Sequence, residues 1–166
     1  MSGAPSSEFW NFSLSLYARP GVAEELIDLQ DRFGADVNVL LFCCWCGTTG
    51  RRPLDTALLA QAMDMTAAWQ QRVVVRLRAI RRDMKGGVPG VPMTAGDALR
   101  EEIKRLEIEG ERLEQRILSD LAPAPQGEGS GAEIRAALTA YLMMLDDRGS
   151  SDFHAAVDRL VATCIS

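Results

Sequence analysis

The sequence predicts an all-α fold: a bundle of about seven helices in which a long antiparallel helical hairpin packs on a buried central helix. Three observations carry this expectation. The stretch Asp36–Gly47 is apolar on every side after its first turn, and a helix hydrophobic all round must be buried all round. Two long segments, 55–85 and 94–121, repeat apolar residues every three or four positions. No second strand candidate exists to pair with Val39–Trp45, since Val73-Val74-Val75 is short and sits inside a helical pattern.

The first helix is expected from Glu8 to about Ala18, capped by Ser6 or Ser7. Phe9, Ser13 and Leu16 share one face, and Trp10, Leu14 and Tyr17 the adjacent one. Arg19-Pro20-Gly21 breaks it. The second helix runs to about Phe33 with Val22, Leu26, Leu29 and Phe33 as its stripe and Gly34 as terminator. Asp36 is a good N-cap for the central helix, and Gly47 is expected to end it by turning left-handed. Asn38 would be a buried amide, with Tyr17, Gln30 and a later arginine as available partners.

Asp55 caps the first long helix, whose seam reads Leu58, Ala62, Met65, Trp69, Val73, Leu77, Ile80 and Met84. Gly86–Pro92 is a connector, and Thr94 with Asp97 resembles a capping box. The second long helix carries Leu99, Ile103, Leu106, Gly110, Leu113, Ile117 and Leu121, with Gly110 permitting close approach of another helix. Charge supports an antiparallel hairpin. From Arg72 to Lys85 there are six basic residues and one acid, and Glu101, Glu102 and Glu107 would come alongside. Residues 8–121 thus form a core domain and 122–131 a Pro/Gly linker. Residues 132–166 give two short helices expected to fold back on the core, the last capped by Ser150 or Ser151.

Composition bounds the function. The 166 residues suffice for one domain, and 47% hydrophobic residues can fill a core. A net charge of −5 argues against nucleic acid as a partner. No apolar run is long enough for a membrane span, and Met1–Ser7 lacks signal-peptide character, so the expected location is the cytoplasm. Free cysteines at 43, 44 and 46 fit that location, and packing is their favoured role.

No catalytic residue, cofactor or metal site is assigned. His154 has no nucleophile placed beside it, and Asp146-Asp147 lacks further acids at helical spacing. The glycines of 127–131 follow no strand and precede no Gly-Lys-Ser/Thr, so they are not a phosphate loop.

Phe9-Trp10-Asn11-Phe12-Ser13-Leu14-Ser15-Leu16-Tyr17, then Pro20-Gly21-Val22, Leu29-Gln30-Asp31, Asp36–Phe42 and Trp45 resemble an all-helical family of proteobacterial proteins catalogued as a domain of unknown function. The match continues through Trp69 and Leu77–Arg82 to Lys85 and covers roughly residues 8–120. The resemblance implies a helical fold and a bacterial cytoplasmic protein, and supplies no activity. It draws attention to the polar residues Ser13, Tyr17, Gln30, Asp36, Asn38, Arg78, Arg81 and Lys85.

Two candidate sites follow. A polar pocket could be lined by Ser13, Tyr17, Gln30, Asp36, Asn38 and Trp69 with Arg78. A basic, anion-binding face is offered by Arg72, Arg76, Arg78, Arg81, Arg82 and Lys85. The leading expectation is a non-enzymatic interaction or regulatory module using that face, with an unidentified protein as its partner. The alternative is a small-molecule or anion-binding protein, possibly an enzyme, with a polar pocket near Asp36, Asn38 and Arg78. The oligomeric state is left open.

Overall fold

The computed structural model describes residues 8–146 and 151–166. The predicted caps Ser6, Ser7 and Ser150, together with Asp147, lie outside the described residues. The described chain is an all-α bundle. Its helices are α1 (Glu8–Tyr17), α2 (Val22–Phe33), α3 (Val37–Thr48), α4 (Thr56–Trp69), α5 (Val75–Asp83), α6 (Met93–Leu121), α7 (Gly131–Leu145) and α8 (His154–Ile165). A π-helical segment, Gln70–Val74, joins α4 to α5 without a break, and a 3₁₀ turn, Ser151–Phe153, precedes α8.

Helix α3 is the buried centre, with every residue from Asn38 to Gly47 inside. Asp36 caps it: its carboxylate accepts the Asn38 N–H at 2.8 Å. Phe9 of α1 stacks on Trp45 with ring centroids 5.0 Å apart, so the first helix seals one side of the core. Buried Phe9, Ser13 and Leu16 form its inward face. In α2 the stripe Val22, Leu26 and Leu29 is buried, and Gly34 ends the helix with φ 69°. Helix α7 is the most extensive neighbour of α3, and α8 covers α2, α3 and α7.

Gly47 is not the left-handed terminator that the sequence predicts. The helix runs on to Thr48, and the left-handed turn falls to Gly50 with φ 65°. What Gly47 provides is proximity: a Cβ there would lie 2.6 Å from both the backbone N and the Cγ1 of Ile134 in α7. Segment 122–130 is strapped to the loop after α3. The Gln126 N–H donates to Gly50 O at 2.9 Å and the Ser130 N–H to Gly47 O at 3.1 Å. Ser130 then caps α7 by accepting the Glu133 N–H. Helix α6 begins at Met93 behind Pro92 with no side-chain cap, so the Thr94/Asp97 capping box does not form. Proline before the first turn supplies the start instead. Helix α8 likewise starts without a side-chain cap.

The hairpin is antiparallel, with its buried faces displaced from the predicted seams. The inward positions of the first arm are Leu59, Ala62 and Thr66, then Val74. Those of α6 are Glu107, Gly110, Glu114, Gln115 and Leu118. The predicted seam residues Met65, Ile80, Leu99, Leu106 and Leu113 are each at least 42% exposed. The cause is charge pairing: turning Arg78 and Arg81 inward onto Glu107 moves the apolar stripes outward.

Candidate functional site

Burying Arg78 and Glu107 costs solvation free energy that only close pairing offsets. Arg78 therefore anchors a network. Its Nε donates to Glu107 at 2.9 Å, one terminal nitrogen to Gln30 Oε1 at 3.0 Å and the other to Glu111 at 2.8 Å. Arg81 Nε donates to the second oxygen of Glu107 at 2.5 Å. Burial alone would raise the Glu107 carboxyl, but hydrogen bonds from Arg81 and Arg78 outweigh it and hold it below its usual range. Glu111 moves the other way, because its burial outweighs the pull of Arg78. Tyr17 lies at the edge of this network. Partial burial and then Glu111 push its hydroxyl up, against the influence of Arg78.

Beside the network lies a cavity of about 620 Å³ among α2, α3, the α4–α5 helix and α7. Gln30, Asp36, Arg78 and Arg82 line it, with Thr66, Gln70, Gln71, Asp83 and Tyr141. Val39, Met63, Val75 and Leu145 supply apolar wall. The π segment places Gln70 and Gln71 here, and π turns recur at functional sites because they re-aim side chains. Gln70 Oε1 is shielded from solvent and has no partner among the described residues. The Asp36 N–H donates to the Tyr141 hydroxyl at 2.8 Å, leaving the phenolic proton free to donate. Burial pushes that phenol up, so it stays protonated. Arg82 is exposed and forms no ion pair among the described residues.

The predicted pocket set is therefore divided. Gln30 and Asp36 reach the cavity, with Arg78 and Arg82 from the basic run. Asn38 does not: its Oδ1 accepts from Gln115 Nε2 at 2.9 Å, a partner the sequence reading did not name. Ser13 is buried on α1 with its hydroxyl unpartnered among the described residues. Trp69 donates its indole N–H to Gly110 O at 2.8 Å, and Tyr17 is 40% exposed. Of the other basic residues, Arg81 is spent on Glu107, while Arg72, Arg76 and Lys85 are exposed without ion pairs among the described residues. Of the expected neutralising acids, Glu107 alone serves. Glu101 pairs with Arg100 and Glu102 with Arg105, and Glu111 does the rest.

Glu114 escaped the sequence reading because a glutamate between arginines reads as a solvated residue. It is 0% exposed, and neither carboxyl oxygen has a hydrogen-bond partner among the described residues. Burial, then the Asp36 carboxylate, pushes its carboxyl up to about 10, with Asn38 pulling weakly the other way. With its carboxyl raised this far, Glu114 holds its proton at neutral pH, beside the Asp36 carboxylate that helps to raise it. A raised carboxyl binds its proton more tightly in the folded state, so its contribution to stability falls as pH rises from about 4.5 towards 10. Glu114→Gln keeps the donor without needing a proton. It is expected to be more stable than wild type at pH 8, by roughly 4 kcal/mol, and about equal to it near pH 4.5. Thermal melts at the two pH values check this, and an unchanged difference would refute the retained proton.

Cys43, Cys44 and Cys46 are buried thiols, and Cys164 is half-buried. Burial pushes Cys46 up to about 12, which makes it an unreactive packing group. His154 is exposed at the start of α8, with its ring 4.7 Å from that of Phe153. Among the described residues, no group of three His, Cys, Asp or Glu side chains is arranged to hold a metal ion. None of their helices is long and apolar enough to cross a membrane.

The family described as "Protein of unknown function (DUF2390)" matches residues 8–118, which take in α1–α5 and most of α6. No curated protein and no solved structure matches the chain. The chain belongs to the DUF2390 family.

Proposed function

We propose that this DUF2390 member binds a small anionic organic molecule in the cavity between α3, α7 and the π-containing helix. One observation carries the reading: the cavity gathers against an apolar wall a guanidinium (Arg82), a phenolic proton (Tyr141) and an amide oxygen (Gln70) that no group among the described residues takes up. Concave sites of several hundred Å³ with a few convergent polar groups are typical of small-molecule binding. Arg82 would meet the anionic group, Tyr141 would donate to it, and Gln70 would take a donor from the ligand. The buried thiols fit the reducing cytoplasm of a bacterium as the setting.

Native mass spectrometry of protein purified gently from its own host tests this. A bound small mass is expected on wild type. It should be lost in Ala79→Trp, which fills the cavity from an exposed wall position, with the melting temperature within about 2 °C of wild type. A bare wild-type chain would overturn the reading.

A second reading, a protein-interaction module, is favoured by Arg72, Arg76 and Lys85, which stand exposed along the hairpin without ion pairs among the described residues. It expects Arg72→Glu/Arg76→Glu to weaken association about ten-fold or more, measured by titration against whatever partner is retained.

A further inference from the structure

A helix that points glutamates inward and leucines outward leaves an apolar surface for something else to cover. On α6, Leu99, Leu106 and Leu113 recur every seven residues and are 56%, 53% and 42% exposed. Ile103, Gly110 and Ile117 alternate with them at spacings of four and three, which is the pattern of a coiled-coil seam. In the neighbouring arm, Val73, Leu77, Ile80 and Met84 follow the same spacing, with Ile80 49% exposed. The two stripes meet at Gly110, where a Cβ would stand 3.8 Å from Val73 and 3.4 Å from Val74. The exposed members, Leu99, Leu106, Leu113 and Ile80, lie on the side of the hairpin away from α3, because the inward positions on each arm are those bearing Arg78, Glu107 and Glu114. Scattered exposed apolar residues are ordinary, but a two-helix stripe in seam register is an interface pattern.

The edges of this face identify what covers it. Beyond the α5 stripe stand Arg72 and Arg76, exposed and without ion pairs among the described residues. Beyond the α6 stripe stand Glu102 and Glu109, whose bonds to Arg105 and Arg112 are exposed i,i+3 pairs that contribute little. At mid-length, level with Arg76 and Glu109, one edge is basic and the other acidic, Asp83 and Arg116 follow one heptad further along each edge, and the centre is apolar. Such a face complements itself. Turned about an axis parallel to the hairpin, a second copy lays its first arm antiparallel on α6. Its Arg76 then comes to Glu109, with the leucine stripe against Leu77 and Ile80. We infer that the outward face of the hairpin is the interface of an isologous homodimer, closed as a four-helix bundle. The inference rests on the interaction reading and names its partner as a second copy of this chain.

The test is the mass of the full chain in solution by light scattering and sedimentation, from about 1 to 100 μM. A dimer is expected, with dissociation increased on the order of a hundred-fold in Leu106→Glu. That position is exposed, so the far-UV circular dichroism spectrum at 25 °C should match wild type, and the melting temperature should fall only by the share that dimer formation adds at the protein concentration used. Arg76→Glu should weaken the dimer, and Arg76→Glu/Glu109→Arg should restore it, as only a self-complementary interface allows. A wild-type monomer at 100 μM, or a dimer indifferent to Leu106→Glu, overturns the inference. If that monomer still holds a host protein that Leu106→Glu releases, self-association falls and the interaction role stands. If it holds none, both fall.

Discussion

Gly47→Ala is expected to cost more than about 4 kcal/mol, enough to leave the chain largely unfolded at growth temperature. The added methyl would sit 2.6 Å from the Ile134 backbone nitrogen and 2.7 Å from its Cα, so no rotamer change relieves the clash. Helices α3 and α7 would have to part. They form the most extensive helix pair, and Leu138, Tyr141 and Leu142 of α7 lose packing with them. Tyr141 also carries the hydroxyl that fixes the Asp36 N–H, so the cavity wall would loosen too. A fall in melting temperature of at least 10 °C is expected, read by calorimetry. A fall under about 3 °C would show that the close approach does not constrain the fold.

Glu107→Ala is the second large effect, with an expected loss of about 3 kcal/mol. It strips the shared carboxylate from two guanidiniums whose side chains are only 16% and 23% exposed. Arg78 keeps Gln30 and Glu111, whereas Arg81 keeps no carboxylate. The loss should therefore shrink in an Arg81→Met background, and a double-mutant cycle measures that coupling. The pH signature is separate. Because Glu107 is held below its ordinary range, its contribution is complete above about pH 4.5. It disappears as pH falls through the lower folded value. Glu107→Gln should flatten the acid limb of the stability curve, and Glu114→Gln the limb towards alkaline pH.

The central helix was legible because its evidence is local: an Asp cap and ten residues with no polar side to offer water. The hairpin was legible as a hairpin, through its opposite charges, but its rotation was not. Periodicity assigns leucines to the inside, and here the inside holds Glu107, Glu111 and Glu114. A glutamate paired with a buried arginine and one facing water are the same letter in a sequence, and the partner lies about thirty residues away. Gly47 was legible as a required glycine, yet only the position of Ile134 distinguishes a turn from a close crossing. The cavity drew on the same limits. Gln30 and Asp36 stood out beside apolar neighbours, whereas Gln70 and Tyr141 gained their meaning from a π turn and a helix after the linker. Nothing in Gln-Gln-Arg-Val-Val marks a π turn.

That π turn sets phase. An α-helix advances 100° per residue, and a π turn holds one residue more than the helical repeat absorbs. Helices α4 and α5 are thus one rod with an angular offset built in at Gln70–Val74. Deleting one residue within 70–74 would close the offset and let the rod run as a plain α-helix. Arg78 would then swing about a quarter-turn away from Gln30 and Glu107, and the apolar stripe would swing with it. The inward charges and the outward leucines are two readings of one angle.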